Sequence, residues 1–245
     1  MHFFSRYAVA GAVFMLSLFA TAQDRVEASL SADLVSSYIW RGLDMGNAAV
    51  QPSLSVGWKG LSLSAFGSLG LVNNTGADYA MREIDFSLEY SVGGFTVGLE
   101  DQYEDAEGLK PRFFDFTENG AHLLEAYVAY DFGFMRLGWH VNLSGPADTY
   151  INEAGVRKHV HASYCELSAP FTLGGLDWMG TLGVVPYASK GFYNNGSGLT
   201  VTNVSLRANK ALNISHAFRS NMHAELIANP YSRMLYLVVG FGVAL

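Results

Sequence analysis

The stretch Glu83-Ile84-Asp85-Phe86-Ser87-Leu88-Glu89-Tyr90-Ser91-Val92 alternates polar and apolar side chains without a break. Successive side chains of a β-strand point to opposite faces, so this segment forms a strand with one polar and one apolar face. The same alternation recurs over 235–245, where every second residue is apolar. It recurs about twelve times, in segments of roughly the ten residues that span a membrane as a tilted strand. The pattern predicts an all-β protein, a transmembrane antiparallel up-and-down β-barrel of about twelve strands.

The connections between these segments alternate in length. We predict strands at 26–41, 49–59, 61–71, 82–92, 95–104, 121–131, 134–143, 158–170, 176–186, 199–212, 220–228 and 234–245. Tight links such as Lys59-Gly60 and Gly93-Gly94 alternate with longer ones such as 72–81 and 105–120. Short periplasmic turns and long outer loops are typical of outer-membrane barrels, and an even strand count returns both termini to the periplasm.

The first 22 residues have the features of a secretory signal. A basic start with Arg6 leads into the apolar run 8–20, which ends at the small-x-small site Ala20-Thr21-Ala22. We therefore expect a cleaved signal peptide over 1–22 and a single barrel domain over 23–245, integral to the outer membrane of a Gram-negative-type cell. No other run of 18 apolar residues exists, which excludes a helical membrane protein.

Charge and motifs exclude several functions. The formal net charge of −7 gives no electrostatic support for a nucleic-acid partner. The chain has no GxGxxG motif after a strand, no Walker loop, no HExxH and no CxxC. We expect no cofactor, no metal site and no enzymatic activity. The expected partners are outer-membrane lipid, the barrel assembly machinery and small hydrophilic solutes.

Aromatic residues collect near the strand ends. The group at the short-turn end comprises Trp58, Tyr90, Phe95, Tyr130, Phe132, Phe171 and Trp178. Tyr38, Trp40 and Tyr103 lie near the loop end, where Trp40 is predicted to anchor the outer interface. Two aromatic girdles at headgroup level are expected of a membrane barrel.

The polar faces carry the charged residues predicted to line the lumen. They are Glu27, Asp33, Arg41, Lys59, Glu83, Asp85, Glu89, Glu100, Glu125, Asp131, Arg136, Glu166, Arg207 and Glu225. Such charges need a hydrated or paired interior. One possibility is a filled lumen in which acids and bases pair, and the other is a water-filled channel whose acidic excess disfavours anions. The many Ser, Gly and Thr residues of the inward rows favour a narrow aqueous pore.

The long loop 105–120 carries three aromatic side chains, Phe113, Phe114 and Phe116. One hypothesis is that they form a constriction by folding over or into the barrel mouth. The alternative is that they pack against neighbouring loops.

One pair of residues has the spacing of catalytic groups. His161 and Ser163 lie two apart on a predicted strand and could form an outward nucleophile–base pair, as in outer-membrane phospholipases. The outward rows of the flanking strands offer no third group that would orient the imidazole. Asp148 or Asn152 in the preceding loop could reach it, but nothing in the spacing requires this. His159 and His161 likewise lack a third metal ligand.

Both ends of the chain resemble a known family. The run Ser31-Ala32-Asp33-Leu34-Val35-Ser36-Ser37-Tyr38-Ile39-Trp40-Arg41-Gly42 and the following Gln51–Val56 resemble the first two strands of the TorF-like porins. The closing stretches 224–230 and 237–241 resemble small outer-membrane barrels of that kind. The resemblance implies an outer-membrane barrel with a channel role. Leu245 departs from the aromatic residue with which many such barrels end, although Phe241 lies in the same outward row.

These features together predict passive diffusion of small hydrophilic solutes through a narrow, acid-lined lumen. A non-conducting structural or adhesive barrel with partner-binding loops is the alternative, and an outer-membrane lipid hydrolase is the distant one.

Overall fold

The computed structural model describes residues 26–72, 82–105, 112–117, 120–194, 198–212, 214 and 218–245. The predicted signal peptide lies outside these residues. Among them, no helix has the length and apolar character needed to cross a bilayer.

Sixteen strands and one short helical turn make up the described chain. In chain order the strands are β1 (Glu27–Val35), β2 (Tyr38–Trp40), β3 (Leu43–Gly46), β4 (Ala49–Trp58), β5 (Leu61–Gly70), β6 (Arg82–Val92), β7 (Phe95–Asp105), β8 (His122–Asp131), β9 (Arg136–Ser144), β10 (Thr149–Ile151), β11 (Arg157–His159), β12 (Ser163–Leu173), β13 (Leu176–Val185), β14 (Thr200–Leu212), β15 (Arg219–Asn229) and β16 (Met234–Ala244). A 3₁₀ turn over Pro146–Asp148 lies between β9 and β10.

Twelve of these strands form one closed antiparallel barrel. They are β1, β4–β9 and β12–β16, each paired with its neighbours in the chain, and β1 pairs with β16 to close the cylinder. The remaining strands form two small hairpins, β2–β3 and β10–β11, in the loops at one end. The predicted twelve-stranded up-and-down barrel is confirmed.

Most predicted strand ends agree with the structure to within three residues, and two strands differ by more. The predicted strand 26–41 stops at Val35, and the chain then turns into the β2–β3 hairpin. The predicted strand 158–170 starts only at Ser163, because 157–159 pairs with β10 instead. In both places the polar and apolar residues keep alternating beyond the barrel strand, into a hairpin that forms a separate two-stranded sheet.

The two faces of the wall differ in polarity. Along β6, Glu83, Asp85 and Glu89 are buried in the barrel, while Phe86 and Leu88 are exposed on its outer side. The other strands share this arrangement, and exposed apolar side chains cover the outside of the barrel. A closed barrel satisfies every ladder hydrogen bond, which is what allows strands to cross lipid. The chain is therefore an integral outer-membrane β-barrel.

Aromatic side chains occupy the outer face at the short-turn end as predicted. Phe171 and Trp178 are register partners on β12 and β13, and their rings stack 6.1 Å apart at an interplanar angle of 7°. The prediction for the loop end was wrong for Tyr38 and Trp40, which are buried inside the barrel. Tyr103 stands opposite Ile84 on the outer face, as predicted, and the Phe113 ring packs over it.

Candidate functional site in the barrel interior

The β2–β3 hairpin folds into the outer end of the barrel. Its turn, Arg41-Gly42, has positive φ at both residues, 50° and 81°. A Cβ at position 42 would overlap the backbone carbonyl of Thr202, so only glycine fits here. The Asn229 amide donates to the Gly42 carbonyl at 3.0 Å and holds the tip against the wall.

Arg41 lies at the tip of this hairpin and reaches across the interior. Its guanidinium donates to both carboxylate oxygens of Glu125 on β8, at 2.6 and 2.7 Å, and to the hydroxyl of Tyr193 at 2.5 Å. The same group lies 4.6 Å from the Trp40 ring centroid and 4.7 Å from that of Tyr164. A bidentate, ring-stacked arrangement is specific to arginine, since a lysine ammonium offers no planar fork.

Aromatic rings from four parts of the chain surround this contact. We call Tyr38, Trp40, Phe66, Tyr164 and Tyr193 the inner aromatic cluster, and all five are buried. Trp40 lies 5.8 Å from Tyr193, and Tyr164 stacks on Tyr193 at 5.7 Å. The cluster ties the hairpin to β5, to β12 and to the 186–199 loop. Trp40 thus packs inside the barrel instead of at the lipid interface.

Glu125 also connects the hairpin to the wall beyond it. His140 on β9 contacts the Glu125 carboxylate through Nδ1 at 2.8 Å and stacks on Tyr127 with 5.2 Å between centroids. The Tyr127 hydroxyl in turn donates to Glu89 on β6. One continuous polar network therefore runs from the hairpin tip to the acidic side of the interior.

Adjacent strands β6 and β7 carry the main group of carboxylates. Glu83, Asp85, Glu89 and Glu100 are all buried on the inner face, and we call them the acidic wall. Gln102 donates to Glu100 at 2.9 Å. The four carboxylates share one side of the barrel and make that side of the interior acidic.

Basic groups occupy other parts of the wall. Arg207 on β14 is buried, with Nη1 3.7 Å from Glu225 and Nε donating to Asn209 at 3.2 Å. Arg136 on β9 is half-buried in the inward row. The interior thus has a charge asymmetry, with acids concentrated on β6 and β7.

Two more of the predicted lumen acids, Asp33 and Glu166, lie in the interior on other strands. Asp33 on β1 is buried against Gly242 of β16, where the missing side chain leaves room for the carboxylate. Glu166 on β12 accepts a hydrogen bond from the Tyr164 hydroxyl at 2.9 Å, beneath the inner aromatic cluster.

Three of the predicted lumen charges lie at the short-turn end. Lys59 is exposed in the β4–β5 turn, with its Nζ 5.1 Å from the Trp58 ring centroid. Asp131 is exposed at the end of β8 and accepts a hydrogen bond from the Gly133 N–H at 2.7 Å. Glu27, the first residue of β1, is half-buried. Lys59 and Asp131 lie at the barrel rim because β4 ends at Trp58 and β8 ends at Asp131, where the tight turns begin.

The proposed constriction residues lie elsewhere than predicted. The Phe113 ring packs on Phe86, an exposed side chain of the outer wall. Phe114 and Phe116 are largely exposed. The structure therefore puts this part of the loop outside the barrel, whereas the β2–β3 hairpin packs inside the mouth together with Tyr193.

His161 and Ser163 do not form a hydrogen-bonded pair. The Ser163 hydroxyl accepts from the Trp139 indole at 2.5 Å and donates to the His140 carbonyl at 3.1 Å. The His161 ring contacts the Asn142 carbonyl through Nδ1 at 3.0 Å. In the described part of the chain, no group of three His, Cys, Asp or Glu side chains is placed to hold a metal ion.

Sequence reasoning missed two of the residues that assemble around Arg41. His140 and Tyr193 come from β9 and a loop, and their spacing along the chain carries no common signal. The length of the first alternating segment did contain a signal. Sixteen residues exceed the usual membrane-spanning strand of about 9–11, which suggests that part of it leaves the wall.

No family model matches the chain, and no curated protein matches it. Solved structures of similar shape include the KdgM porin in complex with disordered oligogalacturonate, at 6% identity over 89% of this chain and 96% of that chain, with a TM-score of 0.44. The NanC porin is 12% identical over 89% of this chain and 98% of its own, with a TM-score of 0.45. The COG4313 outer membrane channel from Pseudomonas putida F1 is 9% identical over 95% and 98% of the two chains, with a TM-score of 0.45.

Proposed function

We propose that this barrel is an outer-membrane channel for small hydrophilic solutes, with a preference for cations. The acidic wall is the observation that supports the proposal. Four carboxylates on two adjacent strands face the interior, and a charged row inside low-dielectric walls raises the local concentration of the opposite ion. Rings and rows of acidic side chains select cations in channels by the same mechanism.

Small hydroxyl side chains support passage of polar solutes near the short-turn end. The Ser29 and Ser55 hydroxyls are 2.8 Å apart, and those of Ser31 and Ser53 are 2.7 Å apart. Serines leave more space than larger side chains and can exchange hydrogen bonds with water or with a solute hydroxyl. Twelve strands lie between barrels filled by their own side chains and wide porins, so we infer a narrow passage.

The β2–β3 hairpin determines how far the mouth is open. We propose that Arg41 and the inner aromatic cluster hold the hairpin as a constriction at the outer end. The packing of this hairpin also favours the second candidate, a barrel that does not conduct and acts through its outer loops. A lipid hydrolase based on His161 and Ser163 has little support, because both hydrogen-bonding partners of the Ser163 hydroxyl belong to the wall.

The test is single-channel recording of the barrel refolded in a planar bilayer under a KCl gradient. The channel proposal requires discrete conductance steps whose reversal potential indicates a preference for K⁺. Heat-modifiable migration on a gel shows that the barrel is folded. Silence from a folded barrel would contradict the proposal for the wild-type state, and an anion-preferring current would contradict the role of the acidic wall.

A further inference from the structure

The described part of the β7–β8 loop lies on the lipid side of the barrel wall. We call residues 112–117 the outer cap. Within it, the Phe113 ring lies 6.3 Å from Phe86 and 5.1 Å from Tyr103. Phe86 is exposed on the outer face and stands opposite Asp101 in the β6–β7 register, so Asp101 shares that face. The outer cap thus covers the outside of β6–β8 toward the loop end.

A polar pair lies beneath the outer cap. His122 Nδ1 is 2.9 and 3.1 Å from the two carboxylate oxygens of Asp101, and Nε2 donates to the Phe113 carbonyl at 2.5 Å. The Phe116 ring stacks on His122 with 4.2 Å between centroids. A carboxylate facing lipid without cover is unfavourable. The cap therefore covers a part of the wall that would otherwise present polar groups to the membrane.

Internal hydrogen bonds fix the shape of the outer cap. The Asp115 N–H donates to the Arg112 carbonyl at 2.9 Å, and the Thr117 hydroxyl donates to the Asp115 carboxylate at 2.6 Å. Hydrogen bonds from the Thr117 side chain and backbone lower the pKa of Asp115, so this carboxylate is charged at neutral pH. The turn consequently presents Phe114 and Phe116 in one defined arrangement.

Both of these rings remain exposed although the cap is packed on the wall. Phe114 is 86% exposed and Phe116 is 66% exposed, and the exposed Arg112 lies 3.9 Å from Asp115, the residue between them. The apolar surface that they form is continuous, through Phe113 and Phe86, with the lipid-facing wall. Aromatic side chains favour the boundary between acyl chains and headgroups.

We propose that the outer cap is a membrane-docking element, which inserts Phe114 and Phe116 into the outer-leaflet boundary of the lipid that surrounds the barrel. The partner is the lipid itself. Arg112 then lies where it can meet anionic headgroups, and the insertion seals the Asp101–His122 pair from the acyl chains. This inference requires only a membrane-inserted barrel and is independent of conduction.

Site-directed spin labelling in lipid vesicles tests the docking. Cys165 is the chain's single cysteine, so a Cys165→Ala background receives Phe114→Cys, with Leu88→Cys on the outer wall and Glu153→Cys in the exposed β10–β11 turn as controls. We expect the label at 114 to collide more often with oxygen than with a water-soluble nickel chelate, as at 88. The label at 153 should show the opposite order.

An accessibility at 114 equal to that at 153 would place the cap in water and overturn the proposal. A lipid-type signal at 88 together with heat-modifiable migration shows in each case that the barrel has folded and inserted. If Phe114→Cys does not fold, Phe116→Cys is used in the same way, with the same two outcomes.

Discussion

Arg41 and Glu125 are 84 positions apart in the chain and are joined by two hydrogen bonds inside the barrel. This contact links a loop hairpin to β8, a strand that stands five places from β1 around the closed sheet. Both side chains are almost fully buried. Removing one partner of a buried ion pair typically lowers stability by about 3–5 kcal/mol, because the other charge loses its compensation.

Arg41→Ala should loosen the hairpin while the barrel wall stays intact. Glu125 would lose its bidentate arginine and keep the His140 contact, and the inner aromatic cluster would lose the cation that two of its rings contact. We expect a larger conductance or a higher open probability in single-channel records. Arg157→Ala, an exposed arginine in β11, serves as the control. Unchanged records for Arg41→Ala would show that the hairpin does not limit conduction.

Gly42→Ala should displace the same hairpin by steric overlap instead of by loss of charge. The new Cβ would overlap the Thr202 carbonyl, and alanine is strained at a φ of 81°. Gly133→Ala is the matched control, since its φ is 88° and a Cβ there would meet no atom within 4 Å. Backbone strain alone costs about 1 kcal/mol in both variants. Only Gly42→Ala should alter the single-channel conductance. Equal conductance for both variants would contradict the role of the β2–β3 hairpin as a constriction.

Asp85→Asn should reduce the preference for cations. A unit charge about 7 Å from a permeating ion changes its energy by roughly 0.6 kcal/mol in water, which corresponds to a factor of about three in local concentration. The reversal potential under a salt gradient should therefore move toward zero. Asp131→Asn, at the exposed end of β8, is expected to have a smaller effect. An equal shift in both variants would mean that net charge matters and the position of the acid does not.

Gly98→Ala should destabilise the barrel from within. The Tyr127 ring covers Gly98, and a Cβ there would overlap it, which would pull the hydroxyl from Glu89 and the ring from His140. Overpacking of this kind typically costs about 1–3 kcal/mol. Gly180→Ala, where a Cβ meets no atom within 4 Å, should change the denaturant midpoint little. Equal midpoints for the two variants would indicate that Tyr127 adjusts without loss.

The alternation of residues was sufficient to predict the barrel. A period of two assigns each side chain to a face, so the order of residues alone places Glu83 and Phe86 on opposite sides of the wall. Tight turns such as Gly93-Gly94 then determine which strands are neighbours. Both the face of each side chain and the pairing of successive strands depend on residues that are close in sequence, so the sequence alone predicts them.

Which loop residues pack inside the outer end of the barrel depends on contacts between residues that are distant in sequence. Tyr38 and Trp40 continue the alternation of β1, yet the chain turns after Val35 and carries them into the interior. Phe113 could have packed on either side of the rim, and its place on Phe86 follows from the Asp101–His122 pair beneath it. The spacing of residues along the chain predicts neither the inward packing of Tyr38 and Trp40 nor the outward packing of Phe113. Each depends on surfaces that form only when the barrel closes.

The pairing of β1 with β16 also constrains how this barrel comes to exist. Ser31 on β1 stands opposite Ala244 on β16. One edge of β1 therefore stays unpaired until β16 has been synthesised. Until then, both edges offer unpaired N–H and C=O groups to any passing strand, the condition that leads to aggregation. Deleting β16 would return the sheet to this open form, with β1 and β15 as its unpaired edges.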